Sequence, residues 1–266
     1  MTEFDTPRPI RLRVNLPAGH LAITATETGT TTVTIGAQNE HDKSARQLAE
    51  DTKVNLDGDE LVIEVPKGYR LRRTAGLDVR VTLPVESAVS ASIASADLQA
   101  SGRLGRVHVD SASGDVRVDE ADEITVRTAS GDTSVGRGHS RIGIHSASGD
   151  ILIEVAAAGF DVKSASGDVT VGEVTGPGAA SSASGDVTVR TARSGEIDAN
   201  TASGDVRVGV APGTGVYLDL STLSGDTTSH LQPEAEPATG PDLHLRLRTL
   251  SGDIDVVRST DASTNV

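Results

Sequence analysis

Eight aspartates follow a glycine at nearly fixed spacing, and their carboxylates are the side chains best placed to do chemistry. The pairs are Gly114-Asp115, Gly131-Asp132, Gly149-Asp150, Gly167-Asp168, Gly185-Asp186, Gly204-Asp205, Gly225-Asp226 and Gly252-Asp253, at steps of 17, 18, 18, 18, 19, 21 and 27 residues. A degenerate copy, Ser95-Ala96-Asp97, stands 18 residues before the first aspartate. A line of carboxylates can gather divalent cations, and a pair can act as general acid and base. Calcium, however, takes about six to eight oxygens per ion, and the denser glycine motif of calcium-binding β-rolls is absent. On the other reading each Asp caps the amides of its own turn, with Arg117 and Arg207 relieving repulsion two residues on. That repulsion is about 0.9 kcal/mol per neighbouring pair, for a stack at roughly 4.8 Å in bulk-water dielectric. Both readings stay open at this stage.

Other chemistry is sparse. The seven His do not cluster at metal-ligand spacing, and neither a Gly-x-Ser-x-Gly elbow nor a phosphate-binding Gly-rich loop with Lys occurs. We therefore expect no enzyme activity, no catalytic residue, no metal site and no cofactor. Lys67, Arg70, Arg72 and Arg73, flanking Tyr69, form a basic cluster and are candidate partner-binding residues. They read either as a solvated loop or as a docking loop for an acidic protein partner. A net charge of −14 argues against nucleic acid and anionic membranes as partners. There is no Cys, and Met1 to Pro9 lacks an apolar signal core, so a cytoplasmic protein is expected.

The elements that position the aspartates emerge when the copies are aligned on glycine. Apolar residues recur seven and five positions before it, as in Ile142 and Ile144 or Leu245 and Leu247. They recur again two and four positions after it, as in Val169 and Val171 or Val187 and Val189. Two positions before it stands Ala in six copies and Leu (Leu223, Leu250) in the last two. Alternate residues of a strand share a face, so the shift in parity predicts a corner between Ser111 and Ala112. Two arms, a corner and a variable return make one coil. Coils with identical offsets bury their Val pairs only by stacking in parallel, so a β-solenoid of about nine coils of about 18 residues is expected over 89–258. Aromatics are 2% of the chain, which suits an interior tiled by small side chains. Ser or Thr three residues before each glycine should satisfy backbone groups at the bend.

Residues 1–88 lack the repeat and predict a β cap with one short helix. Strands are expected at Ile10–Leu16 and Leu21–Ala25, broken at Pro17-Ala18-Gly19, and at Val33–Ile35 after a break at Thr28-Gly29-Thr30. A helix is expected over Glu40–Asp51, a hairpin around Asp57-Gly58, and a strand over Leu77–Leu83. Residues 259–266 read as a flexible tail.

The repeated Ser-Ala-Ser-Gly-Asp-Val-x-Val, with Val79-Arg80-Val81-Thr82-Leu83-Pro84 before it, resembles the bacterial "putative adhesin" family of β-strand-repeat proteins. This is a domain of unknown function, here of actinobacterial type, and the likeness runs from about Phe4 to Val257. The resemblance implies a right-handed solenoid and carries no established catalytic or ligand-binding residues. Two roles follow as expectations: a structural or protein-binding scaffold, or an adhesive, carbohydrate-interacting surface protein.

Overall fold

A computed structural model describes residues 1–66, 76–231 and 243–259. They are almost wholly β-strand with a single α-helix, and they fall into two compact units, Met1–Ser134 and Val135–Val266. The basic cluster at Lys67, Arg70, Arg72 and Arg73 lies outside the described residues, as do residues 260–266 of the expected tail.

In the first unit the strands are β1 (Thr2–Asp5), β2 (Arg11–Thr26), β3 (Thr30–Ala37), β4 (Lys53–Asp57), β5 (Glu60–Glu64), β6 (Leu77–Pro84), β7 (Ala88–Ser113) and β8 (Val116–Ser130). β2 pairs in parallel with β7, from Arg11 opposite Ala88 to Thr24 opposite Ser101. On its other side β2 pairs in parallel with β5 and then with β6. The break expected at Pro17-Ala18-Gly19 is not a break. β2 runs through it, because Gly19 takes φ +120° and lies so close to Leu77 that any Cβ would meet its backbone. The expected hairpin is present as β4 and β5, antiparallel, with Gly58 at φ +60°. Helix α1 (Lys43–Asp51) starts three residues later than predicted, because Asp42 serves as its N-cap and accepts from the Ser44 N–H at 2.8 Å. Its buried residues are Ala45 and Leu48, as the periodicity requires.

β9 (Thr133–Gly138) carries the chain into the second unit. There β10 (Ile142–Ser148), β11 (Ile151–Ala156), β12 (Phe160–Ser166), β13 (Val169–Thr175), β14 (Gly178–Ser184), β15 (Val187–Ser203) and β16 (Val206–Val210) follow one another. They end in β17 (Val216–Ser224), β18 (Thr227–Ser229), β19 (Leu243–Ser251) and β20 (Ile254–Arg258). Like positions stack in parallel: Ile142 on Phe160 on Gly178 on Ile197 along one arm, and Ile151 on Val169 on Val187 on Val206 along the other. These columns form the core, nearly all of it closed to solvent. Phe160 fits because the next coil has Gly178 beneath it, where a Cβ would run into the phenyl ring.

Chain order and stacking order part at the C-terminal end. β15 is followed in space by β19 and then by β17, and β16 by β20 and then by β18. The last coil in sequence thus lies between its two predecessors, and the coil of β17 and β18 is outermost. Consecutive stacking, the simplest reading of the repeat, fails here: the two coils match before glycine but differ after it, where β20 offers Ile254 and Val256 for burial and β18 only Thr227 and Ser229. Leu218 and Leu220 could occupy the places of Leu245 and Leu247.

Candidate functional site

The candidate site is the corner, where Ser, Gly and Asp recur. Burial locates the bend later than the sequence reading does. In each regular coil the inward face continues through the Ser or Thr three positions before glycine, with Ser111, Thr128, Ser146, Ser164, Ser182 and Thr201 all buried. The Ala two positions before it faces solvent, as Ala112 and Ala165 show, and apolar burial resumes at Val116 or Val169. Parity therefore changes at the glycine and not between Ser111 and Ala112. Alanine misled because its small apolar side chain is tolerated on either face.

Gly167 makes the bend possible. Its φ is +120°, and a Cβ there would collide with the carbonyl oxygen of Gly149 in the preceding coil. The glycine N–H donates to the serine carbonyl of the next coil, as from Gly167 to Ser184 (3.2 Å) and from Gly185 to Ser203 (3.0 Å). The hydroxyls serve the bend unevenly. Thr128 and Ser146 donate to the carbonyls of Ser130 and Ser148, and Thr201 to Gly185 of the preceding coil. The hydroxyls of Ser111, Ser164 and Ser182 are buried with no partner.

The aspartates reach from coil to coil. In the first unit the Asp115 N–H donates to Asp97 Oδ1, and the Asp132 N–H to Asp115 Oδ1, both at 3.0 Å. In the second, Asp168 donates to Asp150 and Asp186 to Asp168 at 2.9 Å, and Asp205 to Asp186 at 2.8 Å. The series then follows spatial order: Asp253 donates to Asp205 and Asp226 to Asp253, each at 2.8 Å. Each acceptor is thus a carboxylate oxygen and each donor the amide of the next aspartate. Such charge-assisted bonds are stronger than neutral ones. Capping within one turn, as the sequence reading had it, is replaced by capping of the neighbour. Arg207 lies 3.7 Å from Asp255, in an open groove that Asp205, Asp226 and Asp253 of this line also border. Among the described residues no group of three or more His, Asp or Glu is arranged to hold a metal ion.

Away from the corner, the outer surface carries cross-coil ion pairs. Arg246 spans three coils, meeting Glu196 at 3.2 Å and Asp198 and Asp219 at 3.6 Å. Beside it the rings of Tyr217 and His244 lie 5.7 Å apart, with Tyr217 65% exposed. An open groove there is lined by Glu196, Tyr217, Asp219, His244 and Arg246. Sequence reading passed over this cluster because its residues are far apart in the chain. The signals were the anomalous 27-residue step and the Leu that replaces Ala at 223 and 250, both now exposed. In the first unit, a hydrogen bond from the Arg11 guanidinium (2.8 Å) holds the Asp59 carboxyl below its usual range. His108 lies 3.2 Å from Asp110, which Arg127 also meets at 3.8 Å. No helix among the described residues is long and apolar enough to cross a membrane.

With this geometry in place, the profile of the Toastrack DUF4097 family matches residues 13–257. Similar solved structures include a "putative adhesin" from Bacteroides fragilis, at 14% identity over 96% of this chain and 95% of that one, TM-score 0.48. Another is a "putative adhesin" from Parabacteroides distasonis, at 10% identity over 96% and 95%, TM-score 0.40. A third is a "putative cell adhesion protein" from Clostridium sporogenes, at 12% identity over 97% and 99%, TM-score 0.30. No curated protein matches.

Proposed function

The chain belongs to the Toastrack DUF4097 family, and from that premise we propose that it is a non-enzymatic, protein-binding scaffold. One observation carries the reading: the recurrent carboxylates already accept the amides of neighbouring coils, so the repeated polar motif serves the stack itself. A catalytic pair would need carboxylates free to hold a substrate or a water. The finer architecture belongs to the same proposal: about nine coils of about 18 residues, right-handed, over 89–258, with residues 1–88 as the cap. The basic residues Lys67, Arg70, Arg72 and Arg73 remain the candidate docking loop for an acidic partner.

A second reading, an adhesive and carbohydrate-interacting protein, is favoured by the exposed Tyr217–His244 pair beside Glu196, Asp219 and Arg246. An aromatic face flanked by charged hydrogen-bonding groups suits the apolar and hydroxylated sides of a sugar. Both readings are tested together by titrating the purified chain with a glycan panel and with partners captured by cross-linking, then purified. The scaffold reading expects saturable binding of a purified protein, weakened when Lys67, Arg70, Arg72 and Arg73 are changed to Ser. Saturable glycan binding lost in Tyr217→Ala would replace it with the second reading.

A further inference from the structure

We propose that the outermost coil of the second unit is a self-association edge, through which two copies pair β17 to β17 about a twofold axis. This deepens the scaffold reading by naming one partner, a second copy of the chain, and it uses none of the basic residues on which that reading is tested.

Among the described residues the edge is open in backbone and in side chains. In coils nearer the start of the unit, the first inward residue donates its N–H to the next coil outward, as Ile142 does to Gly159 and Phe160 to Pro177. The equivalent residue of β17 is Leu218, and among the described residues no strand pairs with that side of β17. By the alternation of a parallel ladder, Val216 and Leu220 present their N–H and C=O to the same side. Their side chains and that of Leu218 are half-buried, whereas the equivalent residues one coil inward, Leu243, Leu245 and Leu247, are fully buried. An open strand with a half-covered apolar row is the form of edge that recruits another strand.

Charge selects both the occupant and the register. An antiparallel pair centred on Asp219 would set two carboxylates face to face. Centring it on Leu218 sets Leu218 against its own copy and Val216 against Leu220. It also places Tyr217 opposite Asp219, twice by symmetry. The phenol can donate to the carboxylate, which Arg246 and Arg248 already flank at 3.6 and 3.7 Å. Because the surface is complementary to itself, the contact closes as an isologous dimer.

The test uses the full chain, which contains no cysteine. Light scattering after size exclusion should give twice the chain mass at tens of micromolar, and Leu218→Lys should return it to the monomer. Mixing Tyr217→Cys with Asp219→Cys under mild oxidation should cross-link the two variants several-fold more than either alone, since facing non-hydrogen-bonded residues approach within disulfide range. A monomeric wild-type chain, a dimer indifferent to Leu218→Lys, or cross-linking with no preference for the mixture would each overturn the proposal. None of these outcomes touches the scaffold test, which is read on a separate purified partner.

Discussion

Residues 160–171 and 216–229 carry the same repeat, yet one coil is interior and the other outermost. Val169 and Val171 are fully closed to solvent, while Thr227, Thr228 and Ser229 at the equivalent strand are all exposed. Leu218 and Leu220 are half-covered where Phe160 and Val162 are buried. The motif therefore specifies the shape of a coil, with its two arms and its corner. Neighbours above and below decide how much that shape stabilises, as expected of a quasi-one-dimensional stack.

The largest effect should separate the two coils most sharply. Val169→Asp puts an unpaired carboxylate between apolar side chains of the adjacent coils and should cost about 3 kcal/mol or more. Thr227→Asp, at the same repeat position in the outermost coil, should stay within about 0.5 kcal/mol. Urea unfolding measures both, and equal losses would break the comparison.

Next come the corner glycines. Gly167→Ala meets the Gly149 carbonyl at φ +120° with a coil packed on either side, and should cost about 2 kcal/mol or more. Gly225→Ala meets the Gly252 carbonyl at φ +145°, but the outermost coil can lift away instead. Its cost should be less than half as large, read from the same unfolding curves.

Smaller still is the carboxylate line. Asp168→Ala removes the acceptor of the Asp186 amide and should cost about 1 kcal/mol. Asp168→Asn keeps an acceptor and removes repulsion of comparable size, so it should lie within about 0.5 kcal/mol of the parent. An Asn variant as damaged as the Ala variant would show that charge, not the acceptor, holds the corner.

The smallest expected effect is that of calcium. At matched ionic strength, millimolar calcium and magnesium should give melting temperatures within about a degree of each other. A calcium-specific rise, lost when Asp150, Asp168 and Asp186 are all changed to Asn, would recast the line as a cation ladder.

Much of this was legible because the repeat speaks through period and parity. The columns of Val and Ile, the parallel register and the outward Asp all followed from offsets. Two features did not. The corner was misplaced because Ala165 and its equivalents are apolar yet exposed, and hydropathy cannot distinguish a small outward residue from a small inward one. The partner of each Asp was also hidden, since its turn and the next coil's turn offer the same kind of amide. Only the stacked fold distinguishes a bond within a turn from one across 18 residues.

The interleaved coil order has a consequence for a chain made from its N-terminus. β17 has its one described strand partner in β19, which is synthesised later. When residues 216–229 emerge, the open edge is that of β15 and β16, and Leu218 and Leu220 match it as well as Leu245 and Leu247 will. Native order then requires β19 and β20 to reach that edge first, or to displace an occupant already docked there. Growth by simple addition thus stops at β16, and the coil that closes the stack is not the one that closes the chain.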